Sequence, residues 1–141
     1  MSITSTLFLI FLPALTLQIS LKPYDLTATN MFIDVDIDLS SFIDQNEVDY
    51  SFRQYDTNSN GRVSRTEYIQ HLNQHIPSMA PIAHALYDIY DVDNDDQLDR
   101  HDYDFFFRLL DGDVDGLVSH FEYVRYWSIL FTDLEHLHTR K

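Results

Sequence analysis

The chain contains no cysteine, few glycines and few basic residues. The lack of cysteine excludes a disulfide framework, a thiolate zinc site and a cysteine nucleophile, and it leaves the redox compartment undetermined. Nine lysine and arginine residues face 23 acidic ones, so the formal net charge is −14. A charge of this sign argues against nucleic acid or an anionic membrane as a partner and favours cations or basic proteins.

The first twenty residues contain no charged side chain. Their apolar stretch from Leu7 to Leu17 suits the central part of a signal peptide and is too short to span a bilayer. We therefore expect residues 1–20 to be removed, the mature protein to be secreted and free of membrane contact, and residues 21–141 to form one domain. The alternative is an uncleaved N-terminal helix that packs on this domain or tethers it.

Two segments of twelve residues, 56–67 (DTNSNGRVSRTE) and 111–122 (DGDVDGLVSHFE), follow one pattern. Both have oxygen-bearing side chains at positions 1, 3, 5, 9 and 12, glycine at position 6 and valine at position 8. Calcium takes six to eight oxygen ligands, and such a loop supplies them from these positions and from the backbone carbonyl of position 7. The predicted ligands are Asp56, Asn58, Asn60, Arg62, Ser64 and Glu67 in the first segment and Asp111, Asp113, Asp115, Leu117, Ser119 and Glu122 in the second.

A third segment, 91–102 (DVDNDDQLDRHD), fits this pattern less well. Asp96 replaces the turn glycine, which costs about 1 kcal/mol. Asp102 replaces the closing glutamate, and its shorter side chain weakens calcium binding and relatively favours magnesium. The predicted ligands are Asp91, Asp93, Asp95, Gln97, Asp99 and Asp102. The alternative is a solvated acidic loop that only pairs with its neighbour.

A fourth segment emerges from an internal repeat, because residues 36–68 match residues 91–123 at a constant offset of 55. The repeat identifies 36–47 (DIDLSSFIDQNE) as a related loop, with Ser41 at the glycine position. Its predicted ligands are Asp36, Asp38, Ser40, Phe42, Asp44 and Glu47. The sequence leaves open whether this loop still binds metal. In chain order, loop 1 is 36–47, loop 2 is 56–67, loop 3 is 91–102 and loop 4 is 111–122.

With these four loops, the chain from about residue 25 to residue 132 resembles the EF-hand superfamily of calcium-binding proteins. The resemblance implies an all-α fold in which short helices flank each loop. The spacing departs from the calmodulin pattern, because loops 1 and 2 start 20 residues apart, as do loops 3 and 4. Only eight residues separate the loops within each half, VDYSFRQY and YDFFFRLL, so one short helix must serve two loops.

We therefore expect about six short helices and four metal-binding loops, with pseudo-twofold symmetry between halves 21–77 and 78–132 and a polar C-terminal tail. Loops 2 and 3 are predicted to pair through Val63 and Leu98. Loops 1 and 4 are predicted to pair through Ile43 and Val118. Two prolines bracket the junction of the halves, Pro77 to end one helix and Pro81 to begin the next.

The leading functional hypothesis is a secreted calcium-binding protein that serves a structural or buffering role. The alternative is a calcium sensor that opens a groove for a protein partner. Sensors favour methionine-rich surfaces, and this chain has only Met31 and Met79 besides Met1. No catalytic constellation is recognisable, since the pair His71 and His75 lacks the glutamate of an H-E-x-x-H motif. We therefore expect calcium ions as partners and no enzymatic activity.

Overall fold

The structure is a computed structural model that describes residues 21–138, so the expected signal peptide lies outside the described residues. Within that range the chain is mostly helical, in agreement with the all-α prediction. The elements in chain order are α1 (Tyr24–Val35), β1 (Phe42–Ile43), α2 (Gln45–Arg53), β2 (Val63–Ser64), α3 (Arg65–His75), a 3₁₀ segment (Pro77–Ile82), α4 (Ala83–Tyr90), β3 (Gln97–Leu98), α5 (Arg100–Leu110), β4 (Val118–Ser119), α6 (His120–Asp133) and α7 (Glu135–His138).

The helices that follow the four loops all begin with the same hydrogen-bonded cap. The side chain at loop position 9 accepts an N–H from the first helical turn, and the carboxylate at position 12 accepts the N–H of position 9. Caps of this kind stabilise a helix by about 1 kcal/mol. The N-cap residues of α2, α3, α5 and α6 are Asp44, Ser64, Asp99 and Ser119. The residues that close each loop therefore also start the next helix.

The four short strands form two antiparallel pairs. Strand β2 pairs with β3, which places Val63 opposite Leu98. Strand β1 pairs with β4, which places Ile43 opposite Val118. Both predicted pairings are confirmed. Adding the repeat offset of 55 to the residues of β1 gives β3, and adding it to β2 gives β4, so each pair is the repeat equivalent of the other.

Aromatic side chains from both halves share one core. The shared helices α2 and α5 pack together, with the rings of Phe52 and Tyr103 stacked at 4.6 Å between centroids. Helix α1 packs along α6, where Phe32 meets Tyr123 edge to face at 5.5 Å. Among the helices described between residues 21 and 138, none has the length and apolarity needed to cross a membrane.

The structure differs from the prediction at the junction and at the tail. Pro81 does not begin a helix, because it lies inside the 3₁₀ segment and α4 starts at Ala83. The described part of the C-terminal tail forms a seventh helix, α7, where about six helices were expected. Two leucines explain this difference, since Leu134 and Leu137 pack partly buried against the core.

Candidate metal centres

The aspartate at position 1 holds each loop around its own carboxylate. In loop 4, Asp111 accepts the N–H of Asp115 at 3.2 Å and the N–H of Gly116 at 2.8 Å, one on each oxygen. Asp36, Asp56 and Asp91 accept the corresponding two N–H groups in their loops at 2.8–3.2 Å. The four loops therefore share one backbone conformation, including the two that depart from the glycine pattern.

The carboxylate at position 12 closes each loop, and the length of its side chain determines which backbone N–H groups it accepts. Glu47, Glu67 and Glu122 each accept the N–H groups of positions 3 and 9 of their own loop. Asp102 accepts the N–H of position 9, Asp99, at 3.0 Å, but its second bond comes from position 2, Val92, at 3.0 Å. The shorter side chain thus falls one residue short of the contact that glutamate makes.

The structure brings carboxylate oxygens together at the centre of three loops. In each of loops 1, 3 and 4 one oxygen per acidic residue lies within 4.8 Å of the others. The converging groups are Asp36, Asp38 and Glu47; Asp91, Asp93, Asp95 and Asp102; and Asp111, Asp113, Asp115 and Glu122. These are predicted ligands at positions 1, 3, 5 and 12.

Loop 2 has only two carboxylates, Asp56 and Glu67, and completes its turn with neutral amides. The side-chain oxygen of Asn58 accepts the N–H of Asn60 at 3.1 Å, and the oxygen of Asn60 accepts the N–H of Arg62 at 3.0 Å. In loop 4, Asp113 and Asp115 accept the equivalent bonds. Neutral asparagine therefore suffices for these turn bonds.

The predicted ligands at positions 7 and 9 contribute to the strands and caps. Phe42 and Gln97 begin strands β1 and β3, and Arg62 and Leu117 directly precede β2 and β4. The carbonyl of Phe42 accepts the hydroxyl of Ser40 at 2.8 Å, so these two predicted ligands contact each other. The side chains at position 9 are the N-caps described above.

Burial, neighbouring carboxylates and hydrogen bonds shift the pKa values of several carboxyl groups in loops 3 and 4. Burial raises the pKa of Asp102 to about 6. Desolvation and the adjacent Asp115 raise the pKa of Asp113 to about 6. Burial opposes ionisation of Glu122, but the N–H groups of Ser119 and Asp113 outweigh it and lower the pKa. Loop 4 therefore combines a readily protonated carboxyl, Asp113, with Asp115 and Glu122, whose pKa values are lowered mainly by backbone N–H groups.

The backbone at position 6 has a positive φ in every loop, at 71° for Ser41, 85° for Gly61, 62° for Asp96 and 87° for Gly116. Asp96 therefore adopts the left-handed backbone conformation for which a cost relative to glycine was expected. Its side chain has a second role, because Asp96 forms an ion pair with Arg65 at 3.1 Å.

Arg65 is a residue that sequence analysis missed. It stands at position 10 of loop 2, also pairs with Asp88, and lies over the ring of Tyr87 at 4.5 Å. It thereby ties the start of α3 to loop 3 and to α4. The only signal in the sequence was a basic residue at a loop position where no ligand is needed, which does not identify its partner.

Two tyrosines brace the pair formed by loops 2 and 3. Tyr87 donates its hydroxyl to the carbonyl of Val63 at 2.8 Å, and Tyr103 donates to the carbonyl of Leu98 at 3.2 Å. At the repeat-equivalent positions for loops 1 and 4 stand Phe32 and Val48, which have no hydroxyl. The two loop pairs are thus related in backbone but differ in side-chain support.

Comparison of the chain with models of known protein families, with characterised proteins and with solved structures finds no match.

Proposed function

We propose that this chain is an EF-hand protein that binds calcium through its four loops, with magnesium as a competitor at loop 3. The observation that carries the proposal is the convergence of Asp111, Asp113, Asp115 and Glu122 in loop 4, together with the similar group in loop 3. A divalent cation bound by oxygen ligands neutralises such a group. Family membership belongs to the proposal, and it is supported by the repeated loop geometry.

The architecture alone does not account for these acids. Turn and cap hydrogen bonds explain a polar side chain at each position, and loop 2 makes the turn bonds with Asn58 and Asn60. Compared with asparagine at the same positions, the aspartates at positions 3 and 5 of loops 3 and 4 add only mutual repulsion unless a cation is present. A metal ion is therefore the simplest reason for charged groups at these positions.

The four loops rank unequally as sites. Loops 2 and 4 match the calcium pattern throughout, loop 3 has the shorter closing Asp102, and loop 1 offers the hydroxyl of Ser40 at position 5. Four divalent ions would reduce the net charge from −14 to −6, so binding should stabilise the fold. The proposed role is that of a secreted structural or buffering protein, for which extracellular affinities of about 10⁻⁴ to 10⁻³ M suffice.

A sensor role is the second candidate, and one feature favours it. A cavity of about 140 Å³ lies between the two halves, and its lining includes Met31, Met79 and Trp127. Opening of this cavity on calcium binding would create an apolar groove. A large rise in the fluorescence of an apolar dye at micromolar calcium would support the sensor, whereas a structural protein shows little change.

Calorimetric titration with calcium tests the proposal. We expect Glu67→Gln and Glu122→Gln each to remove one binding event, because each variant loses the carboxylate that closes its loop. Asp133→Asn is the matched control, since Asp133 is an exposed acid outside all four loops. If neither glutamate variant changes the titration, the proposal is wrong.

A further inference from the structure

The two loop pairs differ in what they expose to solvent. At position 4, Leu39 and Val114 are 80% and 85% exposed, and at position 7, Phe42 and Leu117 are 42% and 39% exposed. These four residues, from loops 1 and 4, are here called the loop-tip surface. The equivalent positions of loops 2 and 3 carry polar residues, namely Ser59, Asn94, Arg62 and Gln97.

The strand pairing places two of these side chains on one face. Ile43 and Val118 are fully buried on the inner side of the β1–β4 pair. Because side chains alternate along a strand, the neighbouring Phe42 and Leu117 point to the outer side. Phe42 is opposite Ser119, so Leu117 is its diagonal neighbour, at a separation of about 7–8 Å that large side chains can span. Leu39 precedes Phe42 by three residues, as Val114 precedes Leu117.

The fold does not explain the choice of apolar residues at position 4. Leu39 and Val114 have φ values of 57° and 59°, a left-handed conformation that disfavours a β-branched residue such as valine. Asn94, at the equivalent position of loop 3 with φ 57°, suits that conformation better. Since Leu39 and Val114 are also almost fully exposed, they gain nothing from burial within this chain.

The charge around the loop-tip surface indicates its partner. Loops 1 and 4 contain four acidic residues each and no lysine or arginine, so the two loops that carry this surface hold eight negative charges. Two divalent ions would leave four of them. A second copy of the chain and an anionic lipid surface carry the same sign of charge and would be repelled.

We propose that the loop-tip surface binds a protein partner through an apolar segment flanked by lysine or arginine. Apolar side chains of the partner would cover Leu39, Phe42, Val114 and Leu117, and its basic side chains would face the acids of loops 1 and 4. Charge complementarity of this kind raises association rates and excludes acidic competitors. The inference goes beyond metal binding and does not depend on it, because the surface stays acidic with or without ions.

Selection from a random peptide library tests this inference. The full chain is immobilised and the selection is run once with calcium and once with a chelator. We expect enriched peptides that combine apolar residues with lysine or arginine in at least one of the two buffers. A selected peptide is then synthesised, and its dissociation constant is measured by calorimetry in the buffer in which it was enriched.

Variants then locate the binding surface. The double variant Leu39→Asn and Val114→Asn should bind the selected peptide at least tenfold more weakly without a fall in melting temperature, because asparagine suits the left-handed backbone. Leu26→Asn is the control, since Leu26 is 55% exposed near the opposite end of α1. It should leave the dissociation constant unchanged.

Four results would overturn the inference. Two concern the peptide: no enrichment of basic apolar peptides in either buffer, or equal binding of the selected peptide by the parent chain and the double variant. The other two concern other occupants: self-association in a sedimentation experiment, or flotation with phosphatidylserine vesicles, where in either case the double variant of Leu39 and Val114 abolishes the effect. Peptide binding with chelator, in a protein that shows no calcium binding event, would contradict the proposed metal function alone. The two proposals can therefore fail separately.

Discussion

Loop 3 differs from the other loops in the length of its closing side chain, because Asp102 has one methylene group fewer than glutamate. Its carboxylate reaches the N–H of Val92, whereas the three glutamates reach the N–H of position 3. We expect Asp102→Glu to restore that contact and to strengthen calcium binding at loop 3 about tenfold, or about 1.4 kcal/mol. Calorimetric titration of the variant against the parent chain measures this change.

The converse substitution is the control. Glu122→Asp shortens the closing side chain of loop 4, and it should weaken calcium there while affecting magnesium less, since magnesium needs fewer protein ligands. If Asp102→Glu leaves calcium binding unchanged while Glu122→Asp weakens it, the length of Asp102 is not what limits loop 3.

The raised pKa of Asp102 also predicts that the stability of the metal-free protein depends on pH. Its pKa is about 6 in the folded chain against a usual value of 3.8, and burial causes the shift. The folded state therefore binds the proton more tightly than the unfolded state, and the contribution to stability falls as pH rises from about 4 to 6. We expect Asp102→Asn, which cannot ionise, to reduce this loss in thermal melts with chelator present.

Calcium binding at Asp102 should have the opposite pH dependence. A metal-bound Asp102 must be ionised, so binding releases the proton and strengthens as pH rises through about 6. Melting curves of parent and variant at pH 5 and pH 7, each with chelator and with calcium, separate the two effects. Identical pH dependence of parent and variant in chelator would contradict the assignment of the shift to Asp102.

At the scale of elements, the sequence predicted the loops and the strand partners because these depend on local spacing. A repeat offset of 55 and apolar residues at position 8 were enough to pair Ile43 with Val118. The sequence did not predict the ion pair of Arg65 with Asp96 or the packing of Leu137, in helix α7, against the core. Those contacts join residues whose proximity is set by packing, which leaves no periodic signal along the chain.

The strand pair offers a test of coupling between loops that are far apart in sequence. Ile43 is fully buried opposite Val118 and supplies no predicted ligand. We expect Ile43→Ala to lower the free energy of unfolding by about 3 kcal/mol, through lost burial and a cavity. It should also weaken calcium binding at loop 4, because β4 loses its partner side chain.

Two glycine amides report on the loops separately. Gly116 donates its N–H to Asp111 and Gly61 donates to Asp56, so their resonances follow loops 4 and 2 during a calcium titration. Ile43→Ala should shift the midpoint for Gly116 more than that for Gly61. Equal shifts at both glycines would show a general loss of stability rather than coupling through the strand pair.

At the scale of the whole molecule, the repeat gives a symmetric backbone whose two ends have diverged. Loops 2 and 3 are joined by Arg65 and by the hydroxyl of Tyr87, and the hydroxyl of Tyr103 supports strand β3 of loop 3. Loops 1 and 4 lack the equivalent hydroxyls and expose apolar tips. One loop pair is thus stabilised from within, while the other has features that suit contact with another molecule.

The two halves also differ in sequence where the shared helices α2 and α5 meet. Asp49 on α2 is 1% exposed, and its Oδ2 lies 2.9 Å from Nη1 of Arg100 on α5. Gln45, the repeat equivalent of Arg100, donates to the other oxygen of Asp49 at 2.9 Å. A buried carboxylate is thus held jointly by both halves, and loss of Arg100 would leave its charge without a counterion.

We expect Arg100→Gln to lower the free energy of unfolding by about 2 kcal/mol, less than for a fully enclosed pair, because the Arg100 side chain is 66% exposed and water can replace part of it. Adding Asp49→Asn should recover most of the loss, since a neutral amide tolerates burial without a counterion.

Arg108→Gln is the control, because Arg108 lies over the ring of Phe105 on the same helix. Urea denaturation of the parent, Arg100→Gln, Asp49→Asn and the double variant completes a double-mutant cycle that measures the coupling. If Arg100→Gln costs no more than Arg108→Gln, the ion pair does not hold the halves together, and the packing of Phe52 on Tyr103 must do so instead.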